Sequence, residues 1–306
     1  MDFLPPTKPD ESDCCGSGCR RCVFDVYEEE YKIWERRIEG NEENGVGGTE
    51  EATLCPDKYT DLRIQKMDRV NTNTFVYHLS EQSGKQIQFK MDIGQHVIIK
   101  SNFGEEYITR PFTPVQMTEF DKNLTLVIKL YKNGKMSSVV SDWKVGDLVR
   151  CRGPVGSQIQ YSCNKWGKIL LIAAGTGITP MAKVIQTILC NDDEDTVIIL
   201  LYACQVYEDI LLKEQLDKWA EYWNFHVIYF LSQEDKKQVE SKKKYNENIF
   251  YERISFNSLK SIGEQFHINF DDAKLYSFVC GPIEFEIDLE KNLVNCGMTI
   301  ENIYRF

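Results

Sequence analysis

KILLIAAGTGITP runs from Lys168 to Pro180. Its first seven residues are an apolar run of core-strand length with no polar alternation, as expected of a strand covered on both faces. Gly175 and Gly177 then allow a tight turn and close approach of a dinucleotide. Pro180 suits the start of a helix, which the pattern carries to about Cys190. The full G-x-G-x-x-G spacing is absent, because Pro180 stands where a third glycine would sit. Taken alone, the stretch also fits a plain strand–turn–helix.

Toward the C-terminus the rhythm repeats. TVIILLYAC is a second strand, followed by a helix through Ile210 to Tyr222. FHVIYFLS is a third and KLYSFVCGP a fourth, followed by a C-terminal helix and a short final segment. Strands alternating with helices imply a parallel α/β sheet with right-handed crossovers. The charge run Glu234 to Lys244 reads as a solvated loop. Cys280-Gly281-Pro282 ends the last strand, where open α/β sheets take their ligands. A lone Cys at that place is more often a core residue than a reactive one.

Toward the N-terminus the pattern changes. TFVYHLSE, QHVIIKS, LTLVIKLY and DLVRCRGPV are β-branched and aromatic, with turn residues between them. Such short strands suggest a small antiparallel barrel. Arg110-Pro111-Phe112-Thr113-Pro114 closes one strand: a guanidinium for phosphate, an aromatic for a flat ring and a hydroxyl for a ring edge. A surface turn is its plainer reading. Asn133-Gly134-Lys135-Met136-Ser137-Ser138 follows another strand and could turn backbone N–H groups toward an anion. An ordinary capped turn is the alternative there.

The chain has 306 residues, net charge −11 and a mean hydropathy of −0.39. Residues 1–57 carry fifteen acidic and six basic side chains, so most of the excess lies there and the body is nearly neutral. That balance argues against nucleic acid as a partner. No run approaches the roughly 18 apolar residues of a membrane span, and the N-terminus lacks the pattern of a secretory signal or a myristoylation site. The eleven cysteines are an odd number, which points to a reducing compartment. His78, His96, His226 and His267 match no metal-ligand spacing and read as structural.

Four cysteines, Cys14, Cys15, Cys19 and Cys22, crowd the N-terminus. A zinc or iron–sulfur site, thiol redox chemistry and a structural hairpin all remain open for them, and no metal is assigned. Val23, Tyr27, Tyr31, Trp34 and Ile38 have the spacing of a short amphipathic helix. The Gly-, Asn- and Glu-rich stretch after it reads as a flexible linker.

R-P-F-T, G-K-M-S, G-T-G-I-T-P and C-G-P occur in one order, and that order resembles the ferredoxin–NADP reductase superfamily and, within it, the NADH–cytochrome b5 reductase family. The likeness covers about residues 58–306. Leu201-Tyr202-Ala203 with Asp209-Ile210-Leu211-Leu212 resembles that family's second strand and helix. Residues 13–23, with the Tyr and Trp that follow, resemble the small oxidoreductase-like N-terminal module.

The resemblance implies roles. Arg110 would hold the FAD pyrophosphate, with the Gly134–Lys135–Met136–Ser137 backbone and the Ser137 hydroxyl. Phe112 would pack by the flavin or its ribityl region with Pro111 also in the cofactor site, Thr113 would approach the ring edge, and Lys129 and Tyr131 would lie along the flavin. Gly175, Thr176, Gly177, Thr179 and Pro180 would serve the nicotinamide nucleotide, with Thr179 near the flavin. Cys280 would sit beside the nicotinamide, and Gly281 and Pro282 would shape its slot. Thr113 and Cys280 are thus the catalytic candidates. Four departures stand out. Phe112 replaces the family's usual Tyr, the stretch between Tyr131 and Gly134 is short, and Ile283 replaces a second Pro. Ser232 stands where members specific for NADH place an acidic residue, with Lys236 and Lys237 nearby.

The implied layout is a Cys-rich segment (1–39), a linker (40–57), an FAD-binding barrel (58–162) and an NAD(P)-binding α/β domain (163–306). The implied activity is electron transfer from NADH through FAD to a one-electron haem acceptor such as cytochrome b5, with no transmembrane anchor. NADPH use with another acceptor, or a non-catalytic docking protein retaining the fold, are the alternatives. The expected location is intracellular, the cytoplasm first, with mitochondrial or membrane-peripheral placement as alternatives. The linker should isolate the first 50 residues from the flavin body.

Overall fold

The computed structural model describes residues 5–6, 8–9, 23–38, 54–82, 87, 91–115, 123–156, 159–239, 243–244 and 247–306. Cys14, Cys15, Cys19, Cys22 and linker residues 40–53 lie outside them. The chain divides into two compact units, Met1–Gln158 and Ile159–Phe306.

The first unit opens with helix α1 (Val23–Ile38), as its apolar spacing predicts. Six strands follow: β1 (Thr60–Arg69), β2 (Thr74–Glu81), β3 (Gln95–Phe103), β4 (Glu106–Phe112), β5 (Leu124–Lys129) and β6 (Leu148–Gly156). Helix α2 (Lys135–Ser141) lies between β5 and β6. The strands pair antiparallel in the order β4-β3-β6-β1-β2-β5. A bridge from Val115 to Thr125, with Val115 N–H donating to the Thr125 carbonyl at 2.9 Å, joins the two ends into a barrel. Alternate residues fill it: Leu62, Ile64, Tyr77, Leu79, Val97, Ile99, Leu124, Leu126, Ile128, Val149 and Cys151. β1 is absent from the sequence reading because only Leu62 and Ile64 of its ten residues are buried.

The outer face of this sheet is partly covered. Val26 of α1 packs on Ile98 and Val155, with Tyr59 beside them. Ile98 is paired with Arg152 of β6 on one side and Pro111 of β4 on the other. Arg152 is only 2% exposed; its Nη1 donates to the Pro56 carbonyl at 2.8 Å and its Nη2 lies 3.6 Å from the Glu30 carboxylate. Tyr59 donates its hydroxyl to the same carboxylate. Burial and the Glu30 charge hold that phenol far above its ordinary range. Isolation of the N-terminal segment is therefore corrected: α1 is bolted to the barrel by a buried ion pair. Composition also overextends the linker. Leu54 is buried in the barrel core, and the Cys55 carbonyl accepts from Gly153 N–H at 3.0 Å.

The second unit is a sheet of six parallel strands: β7 (Lys168–Ala174), β8 (Val197–Cys204), β9 (Phe225–Leu231), β10 (Asn248–Phe250), β11 (Leu275–Cys280) and β12 (Ile303–Arg305), in the order β10-β9-β8-β7-β11-β12. Helices α3 (Ile178–Leu189), α4 (Lys213–Trp219), α5 (Lys236–Val239), α6 (Phe256–Gln265) and α7 (Ile283–Asn295) connect them. Only the two end residues of β7 escape full burial, which explains its unbroken apolar sequence.

Three local expectations change. The helix expected from Ile210 to Tyr222 shrinks to α4, because Leu212 adopts φ 57° and Ile210 and Leu211 turn into the core instead. The charge run holds one helical turn, α5, within its described part. Helix α6 is absent from the sequence reading. It presents few apolar residues, Leu259 and Ile262 chief among them, and is started by a reciprocal Ser255–Ser258 cap rather than a Glu or Gln at the third position.

Candidate active site

The parallel sheet reverses its winding between β7 and β11. From β7 the chain winds outward through β8, β9 and β10, and then returns to the other side of β7 for β11 and β12. Ligands of open α/β sheets bind beyond the strand C-termini at such a point. The two motifs singled out in this unit meet there, since Ala173 is paired with Cys280.

Their backbones touch. A Cβ on Gly177 would lie 2.2 Å from the Cys280 carbonyl oxygen, so only glycine fits. A Cβ on Gly281 would lie 2.7 Å from the Phe285 ring and 2.9 Å from the Ala174 methyl. Gly175 has φ +55°, a conformation that favours glycine, and its carbonyl accepts from the Tyr202 hydroxyl at 2.9 Å. Residues Gly175–Gly177 form a short 3-10 turn leading into α3. Thr179 is buried and its hydroxyl donates back to the Thr176 carbonyl at 3.1 Å. Pro180 is the third residue of α3 rather than its first, still within the turn whose N–H groups need no helical partner. Pro282 caps α7, and Cys280 is half-buried at the end of β11.

Sequence reasoning missed Glu286. Its side chain is buried on α7, and its carboxylate accepts the Gly281 N–H at 2.9 Å. Burial pushes this carboxyl up to about 7, against the opposing pull of the Gly281 hydrogen bond and then of Arg305. Four residues beyond Pro282 in a helix, it carries no motif signal.

Ser232 is exposed just past β9, and its N–H donates to the Cys204 carbonyl at 3.1 Å. Lys236 and Lys237 are exposed on α5. Glu234 accepts from the Tyr207 N–H at 2.7 Å.

In the barrel unit, Arg110, Pro111 and Phe112 lie in β4 opposite Ile99, Ile98 and Val97. Phe112 packs against the barrel core, and Arg110 Nη1 donates to the Thr109 carbonyl at 2.7 Å. Thr113 follows β4, half-buried. Lys129 ends β5 opposite Thr74, and Tyr131 is 59% exposed. The Tyr131–Gly134 stretch is a tight turn: Gly134 N–H donates to the Tyr131 carbonyl at 3.1 Å, and Tyr131 N–H donates to the Ser137 hydroxyl oxygen at 2.9 Å. Met136 is buried and anchors α2, which packs on β3 and β4 and so carries Lys135 and Ser137 to the strand bearing Arg110. Arg110, Lys135 and the Ser137 hydroxyl are donors of the kind a pyrophosphate takes, and Phe112 and Tyr131 are aromatic surfaces of the kind a flat ring takes. The residues present fit FAD in this unit. The glycine cradle at the switch point fits a dinucleotide in the other.

Comparisons with known proteins agree. Residues 61–161 match the oxidoreductase FAD-binding domain, residues 171–291 the oxidoreductase NAD-binding domain, and residues 4–43 the N-terminal domain of oxidoreductase-like proteins. A human protein named NADH-cytochrome b5 reductase-like is 31% identical over 99% of this chain and 95% of its own length. The chain belongs to the NADH–cytochrome b5 reductase family. NADH-cytochrome b5 reductase 1 of Dictyostelium discoideum is 31% identical, covering 84% of each chain. Among solved structures, the CS-b5R domains of human Ncb5or in the NAD+ form superimpose with a TM-score of 0.65 at 25% identity, covering 81% of this chain and 69% of that one. The cytochrome b5 reductase domain of Ulva prolifera nitrate reductase gives 0.68 at 22% identity, over 83% and 100%.

This family member is therefore an FAD-dependent oxidoreductase with a nicotinamide nucleotide domain. Its barrel and parallel sheet match the expected fold. No helix among the described residues is long and apolar enough to cross a membrane. No group of three or more His, Cys, Asp or Glu among them could hold a metal ion.

Proposed function

We propose that this chain passes electrons from NADH to a one-electron haem acceptor of the cytochrome b5 type. Bound FAD supplies the chemistry that links the two, accepting a hydride at N5 and giving up electrons one at a time. The chain's own residues bind and orient. Arg110 and Ser137 would hold the pyrophosphate, Phe112 and Tyr131 would lie along the flavin, and the Thr113 hydroxyl would approach its ring edge. Gly175 to Pro180 seat the nucleotide, and Cys280 and Pro282 set the nicotinamide slot. The observation that carries this reading is the meeting of the Gly175–Gly177 turn with Cys280 at the switch point of the parallel sheet, where backbone packs so closely on backbone that only glycine fits at position 177. The haem acceptor rests on what the relatives are named for.

A second reading, use of NADPH, is favoured by one observation. Exposed Ser232 leaves no carboxylate at that position to repel a 2′-phosphate, and exposed Lys236 and Lys237 could attract one. A visible spectrum followed by stopped-flow reduction separates these readings. The first predicts a flavin band that bleaches faster with NADH than with NADPH, and then reduction of added cytochrome b5. A colourless protein overturns both, a preference for NADPH overturns the first, and a reduced flavin inert toward cytochrome b5 removes that acceptor.

A further inference from the structure

The turn at Cys280-Gly281-Pro282 is held from behind by one side chain. The buried Glu286 carboxylate on α7 accepts the Gly281 N–H at 2.9 Å, one residue past Cys280. Packing brackets the same residue, between the Phe285 ring and Ala174. Arg305, whose charge reaches Glu286, lies on β12 and is engaged by Glu290 of α7 at 3.0 Å. Glu286 is left with a partial attraction from Arg305 and a repulsion from Glu290. A carboxylate placed so deep without its own ion pair costs stability, and fold maintenance alone would be served by a neutral acceptor.

We propose that Glu286 is a positioning residue for nicotinamide oxidation, its carboxylate setting the Gly281 amide and through it the Cys280–Pro282 wall of the slot. This rests on the reading of that turn as the nicotinamide site. An ionised carboxylate accepts a hydrogen bond more strongly than a protonated one, so the turn is held tighter when Glu286 is charged. A negative charge nearby also favours a ring that gains positive charge on giving up hydride. With the group titrating at about 7, both effects switch on across neutral pH.

The test uses the full-length flavoprotein and three variants, Glu286→Gln, Glu286→Ala and Cys280→Ala. Stopped-flow reduction by NADH is followed between about pH 5.5 and 8.5. The Gly281 amide is followed by ¹⁵N NMR over the same range in protein without nucleotide. In the unaltered protein the Gly281 signal shifts, and the nucleotide half-saturation falls severalfold, with a midpoint near pH 7. In Glu286→Gln, a neutral acceptor of similar shape, both profiles are flat and FAD content is unchanged. In Glu286→Ala half-saturation rises about tenfold, as expected for loss of one charge-assisted bond. A Glu286→Gln protein that keeps the pH-dependent half-saturation overturns the proposal, as does a Gly281 signal that does not titrate in the unaltered protein. Cys280→Ala separates the two levels. If it slows reduction while Glu286→Gln behaves as unaltered, Glu286 alone is dismissed; if neither changes reduction, the turn is not the nicotinamide site.

Discussion

Gly177 and Arg110 show what one residue decides. At Gly177 the constraint is steric, since a methyl group would sit 2.2 Å from a backbone oxygen that belongs to the next strand. Gly177→Ala must push β11 and the turn apart, at about 1–3 kcal/mol of overpacking. The expected outcome is retained FAD, slower reduction by NADH and a lower melting temperature; unchanged reduction in that variant would mean that the junction plays no part in seating nucleotide. At Arg110 the constraint is charge. A charge-assisted contact to phosphate is worth roughly 1.5–3 kcal/mol, so Arg110→Ala should bind FAD about tenfold to a hundredfold more weakly. FAD occupancy after dialysis measures this, and full occupancy would take Arg110 out of the site.

At the scale of elements, α1 changes the relation between the N-terminal segment and the barrel. Its sequence shows an amphipathic helix, yet nothing in it says where the apolar face goes. The structure places Val26 on Ile98 and Val155, and Glu30 against Tyr59 and Arg152. Removing one partner of a buried pair costs about 3–5 kcal/mol, because the other stays buried and charged. Deleting residues 1–39 should therefore lower the melting temperature of the flavin unit by several degrees. Glu30→Ala should do much the same. Arg152→Met in the shortened chain should recover most of the loss, since an apolar side chain needs no partner there. A shortened chain as stable as the full one would show that α1 contributes nothing to the barrel. Ile98 is paired with both Arg152 and Pro111, so this helix lies over the strand that also carries Arg110.

For the molecule as a whole, Glu286 leaves a signature in stability against pH. Its folded value is about 7, above the ordinary 4.5. Below the ordinary value both states hold the proton, and above the folded value neither does. Between them the unfolded chain releases its proton first, so stability falls as pH rises through this window and is level beyond it. Urea midpoints from about pH 4.5 to 7.5 should show that decline in the unaltered protein, with a smaller one in Glu286→Gln. Equal slopes would mean that the Glu286 carboxyl is not raised above its ordinary value in the folded state.

Much of this molecule is legible in one dimension. Strand–helix alternation from Lys168 onward dictates a parallel sheet, because parallel strands need crossovers and crossovers cover both faces. The short β-branched and aromatic strands before it suggest a barrel, and the turn motifs, each ambiguous alone, point to a family through their order. These are local signals, set by backbone sterics and by the apolar period of each element. Strand β1 and helix α6 escaped because each buries few apolar residues. What only the tertiary structure decided is which groups meet across long chain separations. Gly177 rests on Cys280, Glu286 turns back onto Gly281, and Glu30 finds Arg152. A carboxylate in a helix has the same letter whether it faces water or a buried amide. Burial decides which, and burial belongs to the packed chain.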